Sequence, residues 1–250
     1  MSGKTVYLVT GTNRGIGYGL AAKLAERPNA IVFAGARDPT AQSLKDLAAK
    51  HSNVHPVKLV LADKASNEAA IAEIAKTAGQ LDVVIASAAI SKQFGPIATA
   101  DPNEFLEHYQ INVLGFIILW QAAHKLLLAS PSGNPQLVYI SSVGGSVGNF
   151  INFQAPAYMG SKSAGNYIVK SLDAENPTLT VYALHPGWVQ TEMGNAGAVA
   201  NGMPHAPNTV EQSVAGILNR VDNATKEKTS GKFLNFETIP GPPPTDELVW

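Results

Sequence analysis

Tyr158 and Lys162 stand four residues apart in Tyr158-Met159-Gly160-Ser161-Lys162, at the start of a stretch of helical period, so both side chains emerge on one helix face. Such a pair suits the reduction of a carbonyl. The alkoxide formed as hydride reaches the carbon needs a proton, and a tyrosine near its reference pKa of about 10 can supply one. A neighbouring ammonium is expected to lower that pKa towards working pH. Ser141 and Ser142 close an apolar run upstream. Ser142 is the favoured hydroxyl to donate to the substrate oxygen and stabilise its developing charge, although two serines can equally end a strand and enter the Gly144-Gly145 turn. Asn112 sits inside a long predicted helix, where an amide is a mediocre helix former able to bind water or backbone.

A second group lies near the N-terminus, in Thr10-Gly11-Thr12-Asn13-Arg14-Gly15-Ile16-Gly17 between a strand-like run and a helical one. Gly11, Gly15 and Gly17 let the backbone approach a pyrophosphate, while the helix N-terminus directs free N–H groups at its charge; Asn13, Arg14 and Ile16 complete that turn. A carboxylate at the end of the second strand would accept ribose hydroxyls and favour NADH, whereas here Arg37 comes first after the strand. With Arg14 it can hold a ribose phosphate, so NADPH is the expected cofactor and NADH the lesser alternative. The plainer alternative for Arg37 is a solvated surface charge, and Asp38 keeps a ribose contact open. Asp63, past the third strand, can accept from the adenine amino group or cap the next helix. Lys162 is expected to hold the nicotinamide ribose.

These residues need a scaffold. Apolar, β-rich runs at 5–10, 30–36, 54–60, 81–86, 136–141, 179–184 and 232–236 alternate with helical stretches at 16–27, 41–51, 67–78, 102–129, 156–172 and 209–224. Parallel neighbours require right-handed crossovers, so the expected fold class is α/β, a doubly wound Rossmann-type parallel sheet of about seven strands in a single domain spanning 1–250. Ligands bind beyond the carboxyl ends of such strands. Residues 192–207, rich in Gly, Ala, Asn and Pro, read as a mobile substrate loop, and 240–250, containing Gly-Pro-Pro-Pro, as an extended tail. Phe94, Phe150, Phe153, Trp188 and Met193 fall in loops at the carboxyl edge beside Ser142 and predict an apolar pocket for an aromatic or bulky aliphatic ketone or aldehyde.

Composition narrows the partners. A formal net charge of −1 with 15% charged residues offers no broad attraction to nucleic acid or anionic membrane, leaving a small molecule as the expected partner. The absence of cysteine excludes disulfides, thiolate metal sites and cysteine nucleophiles, and the six histidines form no metal-ligand pair of the HExxH kind, so no metal is expected. The N-terminus reaches a strand-like pattern within a few residues, which predicts a cytoplasmic protein without a cleavable leader. The most membrane-like stretch, 113–129, is broken by Gln121, His124 and Lys125 and reads as a buried or interface helix.

The glycine turn, the Asn112 segment, Ser142, Tyr158-Met159-Gly160-Ser161-Lys162 and Pro186-Gly187-Trp188-Val189-Gln190-Thr191 occur in the order found in short-chain dehydrogenases/reductases, which the chain resembles over nearly its whole length. Leu81-Asp82-Val83-Val84, the PGWVQTEMG run and the stretch 213–233 look most like the fungal norsolorinic acid ketoreductase-like members. The resemblance implies an active tetrad of Asn112, Ser142, Tyr158 and Lys162, with Asn112 holding a water in a proton relay from Lys162. It also implies that Thr191 and the backbone of Val189 fix the nicotinamide carboxamide, with Pro186, Gly187 and Ala88 lining the cofactor. Hydride passes directly between nicotinamide and carbonyl carbon in that family, without metal, and a homodimer or homotetramer is favoured although monomers exist. The chain departs from the family's NNAG after strand four, reading Ala86-Ser87-Ala88-Ala89, and has a longer stretch from Ser142 to Tyr158. Two further readings stay open: the same tetrad working as an NADP-dependent alcohol dehydrogenase in the oxidative direction, and a catalytically silent dinucleotide sensor or scaffold. A nucleotide-sugar epimerase would show a TGxxGxxG spacing and a longer C-terminal domain, and neither is present.

Overall fold

Runs that are apolar on both faces bury on both faces, and they form the parallel core of the computed structural model, which describes residues 3–92, 94–239 and 245–250. The strands are β1 (Thr5–Thr10), β2 (Ala30–Ala36), β3 (Val54–Lys58), β4 (Val83–Ala86), β5 (Gln136–Ile140), β6 (Thr180–His185), β7 (Phe233–Ile239) and β8 (Thr245–Glu247), in the spatial order β3-β2-β1-β4-β5-β6-β7-β8. Every pairing is parallel except β7 with β8. The order reverses between β1 and β4, and there the carboxyl ends of neighbouring strands open a crevice.

Helices α1 (Gly15–Ala25), α2 (Gln42–Lys50), α3 (Lys64–Ala78), α4 (Pro102–Tyr109), α5 (Gly115–Leu128), α6 (Pro156–Glu175), α7 (Glu192–Ala200), α8 (Val210–Asn223) and α9 (Lys226–Thr229) complete a single α/β domain. One core cluster joins Leu20, Leu24, Ile85, Ile217 and Leu218, and the second joins Leu8, Ile74, Phe116, Leu119 and Leu127, so helices cover both sides of the sheet. The continuous helical stretch Pro102–Leu128 is long and apolar enough to pass for a membrane span by length and composition alone. Its Phe116, Leu119, Ala123 and Leu127 are buried in the second cluster, which makes it a core helix.

Three expectations need correction. The predicted helix over 102–129 is interrupted by a π-helical turn, Gln110–Leu114, that carries Asn112. The stretch read as a loop from residue 192 begins with α7, because the Thr191 hydroxyl accepts the Gly194 N–H and caps it while the Trp188 indole donates to the Gly194 carbonyl. The sheet has eight strands rather than seven, since the extended tail supplies β8 and its Trp250 ring packs 5.6 Å from Phe233. The Gly-Pro-Pro-Pro segment lies outside the described residues.

Asp82, 2% exposed, anchors the amino ends of the central strands. Its carboxylate accepts from the Val6 N–H at 2.7 Å, the Gln80 amide at 2.9 Å and the Ser130 hydroxyl at 2.5 Å. Truncation would strand a buried N–H and cost about 3 kcal/mol. Asp82→Ala should therefore lower Tm by roughly 6–12 °C, and Asp82→Asn, which keeps an acceptor, by less; differential scanning calorimetry of the two variants checks the order.

Candidate active site

Helix α6 starts with Pro156 at its first turn and lifts Tyr158 and Lys162 to the carboxyl end of β5. Lys162 is 2% exposed, and its ammonium donates to the Ile140 carbonyl at 2.7 Å. The Nζ lies 4.7 Å from the centre of the Tyr139 ring and 5.7 Å from that of Tyr158. Burial pushes the Lys162 pKa down to about 7. Burial also pushes Tyr158 up to about 12, with the Ser142 hydroxyl acting weakly the other way. The phenol is therefore not drawn towards neutrality by its lysine, as its spacing suggested. One of the ammonium's N–H groups is given to Ile140, and desolvation dominates both shifts.

Of the two serines, Ser141 is committed: it donates to the Asn166 side chain at 2.6 Å in the interior. Ser142 faces the cavity that Tyr158 also lines, and its oxygen accepts the Gly144 N–H at 3.2 Å. Asn112 stands behind this pair, 2% exposed, with its carboxamide wholly engaged. Its Oδ1 accepts from the Ile90 N–H at 2.9 Å, and its Nδ2 donates to the Ile90 carbonyl at 3.0 Å and to the Ser161 hydroxyl at 2.9 Å. Ser161 in turn donates to the Tyr158 carbonyl at 2.7 Å, so the π turn reaches the backbone of Tyr158 through one hydroxyl.

At the cofactor end, the N-cap residue of α1, Arg14, gives no side-chain cap, which leaves the first-turn N–H groups for an anion. The turn is tight enough that a Cβ on Gly17 would lie 2.4 Å from the Gly11 carbonyl oxygen. Gly11 and Gly15 hold positive φ, at +73° and +60°, on either side of Asn13, whose carbonyl accepts from Ser43. The Arg14 guanidinium pairs with Glu192, the first residue of α7, and both side chains are exposed. Arg37 is exposed and makes no ion pair among the described residues, whereas Asp38 is turned onto the Thr40 N–H and hydroxyl, which hold its carboxyl below the usual range. Asp63 takes the capping alternative, accepting the Ser66 N–H at the start of α3. Ala88 donates its N–H to the Thr10 hydroxyl and lies against Gly11.

Ile16, Pro186, Gly187, Val189 and Thr191 line the same cavity as Ser142 and Tyr158, and so do Phe94, Phe153, Trp188 and Met193. Phe153 meets Trp188 edge to face with centroids 4.7 Å apart. Phe150 belongs to no wall: it is 78% exposed. Thr191 donates its N–H to the Val189 carbonyl at 2.7 Å while its hydroxyl caps α7, so both are engaged within the chain. The sequence reasoning missed Ser91, Met159 and His185, which also line the cavity. His185 was within reach of sequence inspection, because it ends β6 directly before Pro186-Gly187. Its Nδ1 accepts the Val143 N–H at 3.1 Å, next to Ser142, and burial holds its pKa down at about 4.

A family model for short chain dehydrogenase matches residues 5–199. The norsolorinic acid ketoreductase of Dothistroma septosporum is 40% identical over 244 residues, covering 94% of this chain and 91% of the relative. That of Emericella nidulans is 40% identical over 245 residues, with 93% and 91% covered. Among solved structures, the carbonyl reductase Sniffer of D. melanogaster superposes with a TM-score of 0.86 at 29% identity over 99% of both chains. The NADPH-bound carbonyl reductase from chicken fatty liver does so with a TM-score of 0.86 at 30% identity, covering 99% of this chain and 94% of its own.

Between pH about 7 and the roughly 10.4 of a free lysine, the unfolded chain carries a proton that folded Lys162 has shed. The site's contribution to stability therefore rises with pH across that window and is lost as pH falls through about 7. Lys162→Met removes the dependence. The Tm of the variant relative to the parent should be higher at pH about 6 than at pH about 9.5; a difference independent of pH would refute the buried-ammonium account.

Proposed function

The chain belongs to the short chain dehydrogenase family, and from that premise we propose that it reduces a ketone or aldehyde to the alcohol with NADPH, Tyr158 acting as the acid. The observation that carries this reading is the convergence of Tyr158, Ser142 and the Pro186–Thr191 turn on one cavity, with the Lys162 ammonium buried beneath them. The uncapped N-terminus of α1 and the close Gly11–Gly17 turn fit a dinucleotide pyrophosphate. Arg37, exposed and without an ion pair among the described residues, is the residue to meet a ribose phosphate. Arg14, paired with Glu192 through one nitrogen, offers the second positive charge beside it.

NADPH, when bound, supplies the hydride to the carbonyl carbon. The chain's own work is to hold and protonate the carbonyl oxygen. Ser142 donates to that oxygen and steadies its growing negative charge. Tyr158 transfers its phenolic proton to the same oxygen, and Lys162 stands beneath to favour the tyrosinate left behind. Asn112 holds Ser161, and through it the backbone of Tyr158, in place. A phenol whose pKa lies at about 12 carries its proton throughout the neutral range, the form in which it can act as the acid. The substrate is expected to be bulky and apolar, since Phe94, Phe153, Trp188 and Met193 wall the cavity. The proposal extends to a cytoplasmic enzyme acting as a homodimer or homotetramer; support for association comes from the exposed apolar side chains of Leu106, Tyr109, Leu114 and Tyr167.

NADPH oxidation followed by absorbance across a carbonyl panel tests the reading. Tyr158→Phe should cost a hundredfold or more in kcat, roughly the contribution of a general acid. Arg37→Glu should shift the preference from NADPH towards NADH by about tenfold or more. Tight NADPH binding with no turnover on any carbonyl would instead support a dinucleotide sensor.

A further inference from the structure

His185 has one ring nitrogen assigned and one free. The Val143 N–H points into Nδ1 at 3.1 Å, so Nδ1 is the acceptor and the ring's proton resides on Nε2. That Nε2–H has no hydrogen-bond partner among the described residues, and the ring lines the cavity shared by Ser142 and Tyr158. Several other polar side chains nearby are engaged within the chain. The Trp188 indole donates to the Gly194 carbonyl, the Thr191 hydroxyl caps α7, and the Asn201 amide donates to the Gly197 carbonyl. Ser91 keeps a rotatable hydroxyl, whereas the direction of the His185 donor is set by its bond to Val143.

A fixed donor in a cavity walled by Phe94, Phe153, Trp188 and Met193 penalises a purely apolar ligand. Such a ligand desolvates the donor and returns no acceptor. The reacting carbonyl oxygen cannot serve, because Ser142 and Tyr158 address it. Resting on the reduction proposed above, we propose that His185 is a specificity-determining residue: its Nε2–H recognises a second acceptor oxygen on the substrate. The preferred substrate is then an apolar ketone that also bears a carbonyl, ester or hydroxyl oxygen away from the reacting centre. The imidazole stays neutral at working pH, so its donor does not depend on a charge.

His185→Asn keeps an acceptor for the Val143 N–H, since Oδ1 replaces Nδ1, and removes the Nε2 donor. The enzyme and this variant would be compared on butyrophenone, ethyl benzoylacetate and ethyl 3-benzoylpropionate, which place an ester oxygen nowhere, near and one carbon further from the ketone. The ratio of keto-ester to butyrophenone kcat/KM should fall about tenfold in the variant for at least one ester, about the worth of one hydrogen bond. Taking the ratio cancels intrinsic differences in carbonyl reactivity and any general loss of activity. In parallel, the His185 signal of the unaltered protein labelled with 15N at histidine should report the Nε2–H tautomer and shift on saturation with that ester but not with butyrophenone, a readout that survives misfolding of the variant. Unchanged ratios for both esters, an Nδ1–H tautomer, or an effect confined to NADPH affinity would overturn the assignment while leaving the reductase reading intact. No turnover of any of the three ketones by the unaltered enzyme would remove the reductase reading, and this proposal with it.

Discussion

The hydrogen bond from the Lys162 ammonium to the Ile140 carbonyl joins helix α6 to the end of β5, and most of the site is arranged around it. An ammonium that is 2% exposed loses nearly all its water, at a cost of several kcal/mol. The chain offsets that cost with one carbonyl and with the face of Tyr139. Space for the arrangement comes from missing side chains. A Cβ on Gly145 would lie 2.9 Å from the Lys162 Cβ, and one on Gly165 would lie 2.2 Å from the Tyr139 hydroxyl. The strand, the helix and the turn between them can close around a cation only because these two positions are bare.

The same logic explains the π turn. An amide in the middle of a regular helix would compete with the helical ladder, but the widened turn at Gln110–Leu114 lets Asn112 bond the Ile90 backbone on one side and Ser161 on the other. The loop after β4 is held again by His108, fully buried, whose Nε2 accepts the Lys92 N–H at 3.2 Å while its Nδ1 meets the Glu104 carbonyl at 2.6 Å. The backbone of Tyr158 is thus held through Asn112 and Ser161, two residues set back from the cavity.

Legibility in the sequence followed how local each feature is. Seven strands and the Tyr158–Lys162 pair show through because a run of apolar residues or a spacing of four is visible without tertiary context. Helix α7 does not: Glu-Met-Gly-Asn-Ala-Gly-Ala-Val-Ala has too few large apolar residues to display a period, and its existence depends on the Thr191 cap and the Trp188 indole. Phe150 looked like a pocket residue because aromatic character says nothing of direction, and it points outward. Arg14 reads as a free charge in the sequence, but it has a partner, Glu192, that only the fold brings near, whereas the Asp63 cap on the Ser66 N–H is local and visible as one of two alternatives. The fold separates Ser142 from Ser141 by a difference invisible in the sequence, the burial of Ser141 against Asn166.

Burial acts in one direction on the three titratable groups around the cavity. It raises Tyr158 to about 12 and lowers Lys162 to about 7 and His185 to about 4, in each case favouring the neutral form. At neutral pH the free site therefore holds a protonated phenol, a neutral imidazole and a lysine near its midpoint. On the proposed reading, reduction delivers negative charge to the substrate oxygen and, once the phenol has given up its proton, to Tyr158. A new anion beside Lys162 draws a proton onto the amine, because an opposite charge favours the charged form. The proton that the overall reduction takes from solvent thus has a destination one side chain away from the phenol that needs it. A site already crowded with fixed charge would lack that response, and the apolar burial that makes Lys162 costly for stability is what leaves its protonation free to follow the chemistry.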